Sequence, residues 1–152
     1  MEDGVISLVD VYLLNGITPG ADTFLFRLLK ERPALVNISH VTFPSPEAHR
    51  QFVHSKTYRH WFIIDANGEW VGSIHATHWN AIGVVILEAH QKRGYARQAM
   101  LKFMDSYAPL PPIPSVRRGS YTVNIAPQNE GCKTLVKSLG GRLIHLTYEV
   151  EK

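Results

Sequence analysis

The run Gln91-Lys92-Arg93-Gly94-Tyr95-Ala96-Arg97 holds the residues whose types and order could do chemistry in this chain. It follows an apolar stretch, Ile82-Gly83-Val84-Val85-Ile86-Leu87. It precedes one in which Ala96, Ala99, Met100, Phe103 and Met104 fall at helical spacing, so it reads as a strand-to-helix turn. A helix N-terminus offers unpaired N–H groups and the positive end of the helix dipole, which together bind phosphate without charged side chains. Gly94 and Ala96 keep bulk away from that backbone, while Lys92, Arg93 and Arg97 add charge around it. The chemistry indicated is the holding of a pyrophosphate-like group. A P-loop would need G-x-x-x-x-G-K-[ST], and a Rossmann turn two further glycines at fixed positions; the run has neither.

The elements that must position this turn can be read in order. Val5 to Val11 is a strand, and Thr18-Pro19-Gly20 opens a helix near Ala21 with apolar Phe24, Leu25, Leu28 and Leu29, ended by Pro33. Ser45-Pro46-Glu47 combines a capping hydroxyl, a proline at the first helical position and a first-turn acid, predicting a second helix to about His54. Trp61 to Ile64 and Trp70 to Ile74 form two strands about an Asn67-Gly68 turn, and a turn near His78 to Asn80 leads into Ile82 to Leu87. These three strands make an antiparallel meander, and the last feeds directly into the helix from Gly94 to Tyr107. The prolines at 109, 111, 112 and 114 make a stiff loop. Tyr121 to Ile125 is a strand, Asn129 to Leu139 a helix stopped by Gly140-Gly141, and Leu143 to Val150 a final strand. The order predicts one α/β (α+β) domain over residues 1–152.

Composition narrows the classes. The chain has 152 residues, 45% of them hydrophobic and 19% charged, which suits one compact soluble domain. Sixteen basic against thirteen acidic residues give a formal charge of +3, a weak pull on anions, and the basic residues form no phosphate-tracking stripe. Cys132 is the single cysteine, so no intramolecular disulfide can form; it is expected to be a small buried hydrophobe without an electropositive partner. Glu2 and Asp3 replace the basic start of a secretory signal, and no apolar run reaches the ~20 residues of a membrane span, so a cytoplasmic protein is expected.

The motifs resemble those of the GNAT superfamily of N-acetyltransferases. Gln91, Gly94 and Ala96 match [QR]-x-x-G-x-[GA] at the end of an apolar strand. Asn129 opening a helix that ends in Leu139-Gly140-Gly141 is similar to the family's second signature. The resemblance covers nearly the whole chain. It implies a mixed, mostly antiparallel sheet with splayed central strands and flanking helices. It further implies acetyl-CoA as acyl donor, with the Val84-Val85-Ile86 backbone taking the pantetheine arm and Lys92, Arg93, Gly94, Tyr95, Ala96 and Arg97 the pyrophosphate. Asn129 is then a helix cap or a cofactor contact, two roles that can coexist, and no metal is required.

Two positions depart from the family pattern. The tyrosine that protonates the leaving thiolate in many members is replaced by Val136, leaving water or Ser138 as substitutes. The glutamate base of some histone-modifying members falls at Asn80. Candidates to deprotonate the amine are His75, Glu88, and Asn124 through an ordered water. His75 is favoured because a hairpin turning around Trp79 would set it opposite Gly83. Residues 37–54, including His40, would form the acceptor wall. The acceptor is a small-molecule or macromolecular amine. An amino-sugar nucleotide, an amine on a nucleic acid, and a non-catalytic acyl-CoA-binding module are the rival readings. A homodimer is also admitted.

Overall fold

The computed structural model describes residues 5–32 and 42–151. Its centre is a four-stranded antiparallel sheet in the order β1-β4-β5-β6, built from β1 (Ile6–Asp10), β4 (His60–Ala66), β5 (Glu69–Ala76) and β6 (Ile82–Ile86). A two-residue hairpin, β2 (Tyr12–Leu13) with β3 (Gly16–Ile17), follows β1. Sequence periodicity does not reveal so short an element. The β4–β5 turn forms at Asn67-Gly68, where both residues take positive φ, 56° and 85°, and Asp65 Oδ1 accepts the Gly68 N–H at 2.8 Å. Asparagine and glycine are the residues that adopt this left-handed pair at least cost.

Helices cover both faces, which is why β4 is buried on both sides. On one face α1 (Ala21–Glu31) and α2 (Pro46–His54) bury Phe24, Leu25, Leu28 and Val53 against Trp61 and Ile63. Ser45 caps α2 as expected, its Oγ accepting the Ala48 N–H at 3.1 Å. On the other face α3 (Tyr95–Ser106) buries Ala99, Met100 and Phe103 against Phe62, Ile64 and Ile74, and Leu135 and Leu139 of the α4 region (α4, Glu130–Ser138) pack on the same core.

Three expectations need correction. A 3₁₀ turn, Glu88–His90, separates β6 from the Gln91 run, so strand and helix are not directly joined. Tyr121 to Ile125 forms no ladder: Thr122 makes one parallel bridge to Ala81, after which the segment diverges from β6. Leu143 to Val150 pairs with nothing among the described residues and is largely exposed. Alternating side chains mark a segment able to be a strand, but a ladder also needs an aligned neighbour.

Candidate active site

The divergence at Thr122 decides which backbone groups of β6 are spent. Leu87 donates its N–H to Val71 C=O at 2.9 Å, so by antiparallel alternation Gly83, Val85 and Leu87 turn their polar groups toward β5. Ile82, Val84 and Ile86 turn theirs the other way. Ile82 gives its N–H to Thr122 C=O at 2.8 Å, and Ile86 C=O accepts Gln91 Nε2 at 3.1 Å. The groups of Val84 and the Ile86 N–H face a cavity of about 660 Å³ that opens where the two segments part.

One end of this cavity is the Gln91–Arg97 turn. Gly94 sits at φ 82° as the N-cap of α3 with no side-chain cap, and a Cβ built on it would meet nothing within 4 Å. The first N–H groups of α3 are therefore approachable, and the left-handed angle favours glycine. Lys92, Tyr95, Ala96 and Arg97 line the same wall, although Tyr95 is buried and packs into the α3 core. Arg93 is exposed and lies outside the lining. Asn129 also lines the cavity while its Oδ1 caps α4, accepting the Cys132 N–H at 3.1 Å.

The other end gathers side chains from distant parts of the chain. His75 pairs with Gly83 in the expected register. A Cβ on Gly83 would fall 2.7 Å from His75 Nε2, so only glycine leaves room for the ring to lie there. Tyr58 stacks on the opposite face of the imidazole, centroids 3.9 Å apart and planes 11° from parallel. Burial, with a smaller contribution from the Arg32 guanidinium, pulls the His75 pKa down to about 4. Arg32, at the end of α1, reaches the same wall. Burial raises the Cys132 thiol, and Arg32 partly opposes that shift. Cys132 is thus a half-buried cavity residue with a cationic neighbour, not the isolated core hydrophobe expected.

Glu88 and Asn124 are exposed and both line the cavity. Ser138 does not: its hydroxyl donates to Leu135 C=O at 2.6 Å on the outer side of α4. Val136 is turned toward Gly141. Asn80 is fully buried and away from the cavity, its Nδ2 donating to Leu110 C=O and Arg118 C=O, both at 2.9 Å, and its Oδ1 accepting the Leu110 N–H at 2.8 Å. At that position the side chain anchors the proline loop, and an ionised carboxylate would be a buried charge set against the Leu110 and Arg118 carbonyl oxygens. His40 and the rest of 33–41 lie outside the described residues. Arg32, Tyr58 and Cys132 had no local signal; only the crossing of α1, α4 and the approach to β4 gathers them.

A family model described as Acetyltransferase (GNAT) family matches residues 26–109. No curated protein matches. Among solved structures, an acetyltransferase from Thermus thermophilus superposes with a TM-score of 0.69 at 19% identity, covering 95% of this chain and 91% of that one. RimL, the ribosomal L7/L12 alpha-N-protein acetyltransferase in complex with coenzyme A, gives 0.62 at 18%, over 88% and 77%. The aminoglycoside N-acetyltransferase AAC(6')-Iy in complex with CoA gives 0.65 at 14%, over 97% and 95%.

Proposed function

Because the chain belongs to the acetyltransferase (GNAT) family, we propose that it is an acetyl-CoA-dependent N-acetyltransferase acting by direct transfer to a primary amine. The observation that carries this is the coincidence of unspent β6 backbone groups, at Val84 and Ile86, with the open N-terminus of α3 in one cavity. The donor supplies an acyl group activated as a thioester. The open backbone at Gly94 and the first turn of α3 hold its pyrophosphate, with Lys92 and Arg97 at the rim. Val84 and Val85 line the path of its pantetheine arm, and Gln91 fixes the strand end by bonding Ile86 C=O. The Ile86 N–H is the oxyanion donor.

In the transfer the amine nitrogen bonds to the thioester carbon, the C–S bond breaks, and sulfur leaves as thiolate. A free thiol has a pKa of about 8.5, so departure without an acid in the place of Val136 is tolerable. His75 takes the amine proton. Its depressed pKa keeps it neutral and able to accept at neutral pH, while making it a weak base. Glu88, or a water held by Asn124, is the alternative route.

RimL and AAC(6')-Iy are named for a protein and an aminoglycoside acceptor, so both macromolecular and small amines belong in a screen. A cytoplasmic location and a homodimer complete the reading. Acetyl-CoA at 100 times its dissociation constant should stabilise the fold by about 2.7 kcal/mol, read as a rise in Tm. Unchanged melting at millimolar acetyl-CoA removes the proposal. Binding without amine-dependent thiol release across the screen would instead support a non-catalytic acyl-CoA-binding module.

A further inference from the structure

The His75 end of the cavity carries a fixed positive charge among groups that stay neutral. Arg32 is the C-cap residue of α1, turned out of the helix at ψ 127°, and it lines the cavity wall with His75 and Cys132. Its guanidinium lies within electrostatic reach of groups brought from separate elements. They are the imidazole of His75 on β5, the phenol of Tyr58 between α2 and β4, and the thiol of Cys132 on α4. Burial keeps the imidazole unprotonated and pushes the phenol and the thiol up, so none of them is charged at neutral pH. Burial lowers the Arg32 value too, but a guanidinium keeps its proton in a protein.

The acids of the lining do not cancel this charge. Glu31 has its Oε2 bonded by Arg27 Nε at 3.2 Å, one helical turn back, so its charge is already balanced. Glu88 lies on the 3₁₀ turn past the far end of β6. An acceptor approaching His75 therefore meets a positive field. An amine reaches the protein as an ammonium, and beside a guanidinium that form is disfavoured. The field helps strip the proton that must leave before attack, but it weakens the hold on an acceptor that is only a cation. An oxyanion on the acceptor reverses that loss, because the planar guanidinium fork matches the oxygens of a carboxylate or phosphate. Gly83 and Tyr58 clamp the imidazole from its two faces, so the base keeps a set position relative to α1.

We propose, resting on the acyl-transfer reading above, that the acceptor is an amine that also carries an oxyanion, and that Arg32 binds the oxyanion while the amine faces His75. The acceptor class narrows from amines in general to amino acids and phosphorylated amino sugars. Arg32 is then the residue that sets acceptor choice.

Matched pairs of amines test this: amino acids against their amides, and amino-sugar phosphates against the parent sugars. Each is titrated into the protein saturated with CoA, and each is assayed for thiol release from acetyl-CoA. In one set of pairs the anionic member should bind about 10- to 100-fold more tightly, the scale of hydrogen bonds to a charged group. The set that responds identifies the oxyanion as carboxylate or phosphate. Arg32→Gln should abolish the preference, and Arg32→Lys, which keeps the charge without the fork, should retain part of it. No preference in any pair overturns the proposal, as does a preference that survives Arg32→Gln. An equal fall in turnover for both members of each pair also overturns it, and sets the guanidinium against the departing thiolate. A matching loss of acetyl-CoA affinity overturns it by placing Arg32 on the donor. Should Arg32→Gln fail to fold, an undiminished preference in Arg32→Lys overturns it equally. Acetyl-CoA binding is read separately from melting, so failure of the donor reading is distinct from equal treatment of the paired amines.

Discussion

At Gly94 the cavity wall offers backbone rather than side chains. A left-handed residue, free space and a helix start make the site, and the neighbouring charges only reinforce it. Around His75 the cavity is made of side chains from remote elements: an imidazole wedged between Gly83 and Tyr58, with Arg32 and Cys132 close by. The first arrangement depends on a contiguous run, so it tolerates drift elsewhere in the chain. The second depends on how α1, α4 and β5 meet, so under the proposed function acceptor choice and proton handling would vary there independently of the Gly94 turn.

The sharpest separation of the two ends comes from His75→Ala. If His75 takes the amine proton, turnover should fall by about 10²- to 10⁴-fold while acetyl-CoA affinity barely moves. In the unmodified enzyme a limb of the pH–rate profile should lie near pH 4, where His75 titrates, rather than near 6.5. Wild-type turnover and profile in the variant would pass the role to Glu88 or to an Asn124-held water.

Gly94→Val is the converse. It should weaken acetyl-CoA binding by about 100-fold, the scale of losing one or two hydrogen bonds to a charged group at about 1.5–3 kcal/mol each. Circular dichroism should show the fold retained at some loss of stability, since an added Cβ meets no protein atom within 4 Å but a β-branched residue is strained at φ 82°. Full affinity in a folded Gly94→Val protein would show that the phosphate is held elsewhere.

Asn80→Ala should leave both ends of the site alone and lower stability by about 1–3 kcal/mol, because it strips partners from the Leu110 N–H and from the carbonyls of Leu110 and Arg118. Chemical denaturation measures that loss. A fall in turnover with unchanged stability would return Asn80 to the chemistry.

The remaining effect is on stability against pH. His75 is held below the value of a free histidine, so the unfolded chain binds its proton first as pH falls. The contribution is intact above about 6.5 and is lost progressively as pH drops toward 4, so the stability difference between unmodified protein and His75→Ala should be constant above neutrality and change with pH only in that window. A stability curve of identical shape in both proteins across that window would show that the ring is not buried as described.

The sequence by itself determined the elements that form locally. The Ser45 cap, the Asn67-Gly68 turn, the β4–β5–β6 meander with its His75–Gly83 register, and the Gly94 turn each follow from adjacent residues and their periodicity. The tertiary structure decided what needs distant partners. It put Asn80 under the proline loop instead of in the cavity, turned Val136 and Ser138 away from it, and placed Arg32, Tyr58 and Cys132 around His75. It also left 121–125 and 143–150, equally strand-like in sequence, outside any ladder. Alternation sets which face a strand would bury, whereas backbone pairing exists only where a second strand runs alongside at hydrogen-bonding distance.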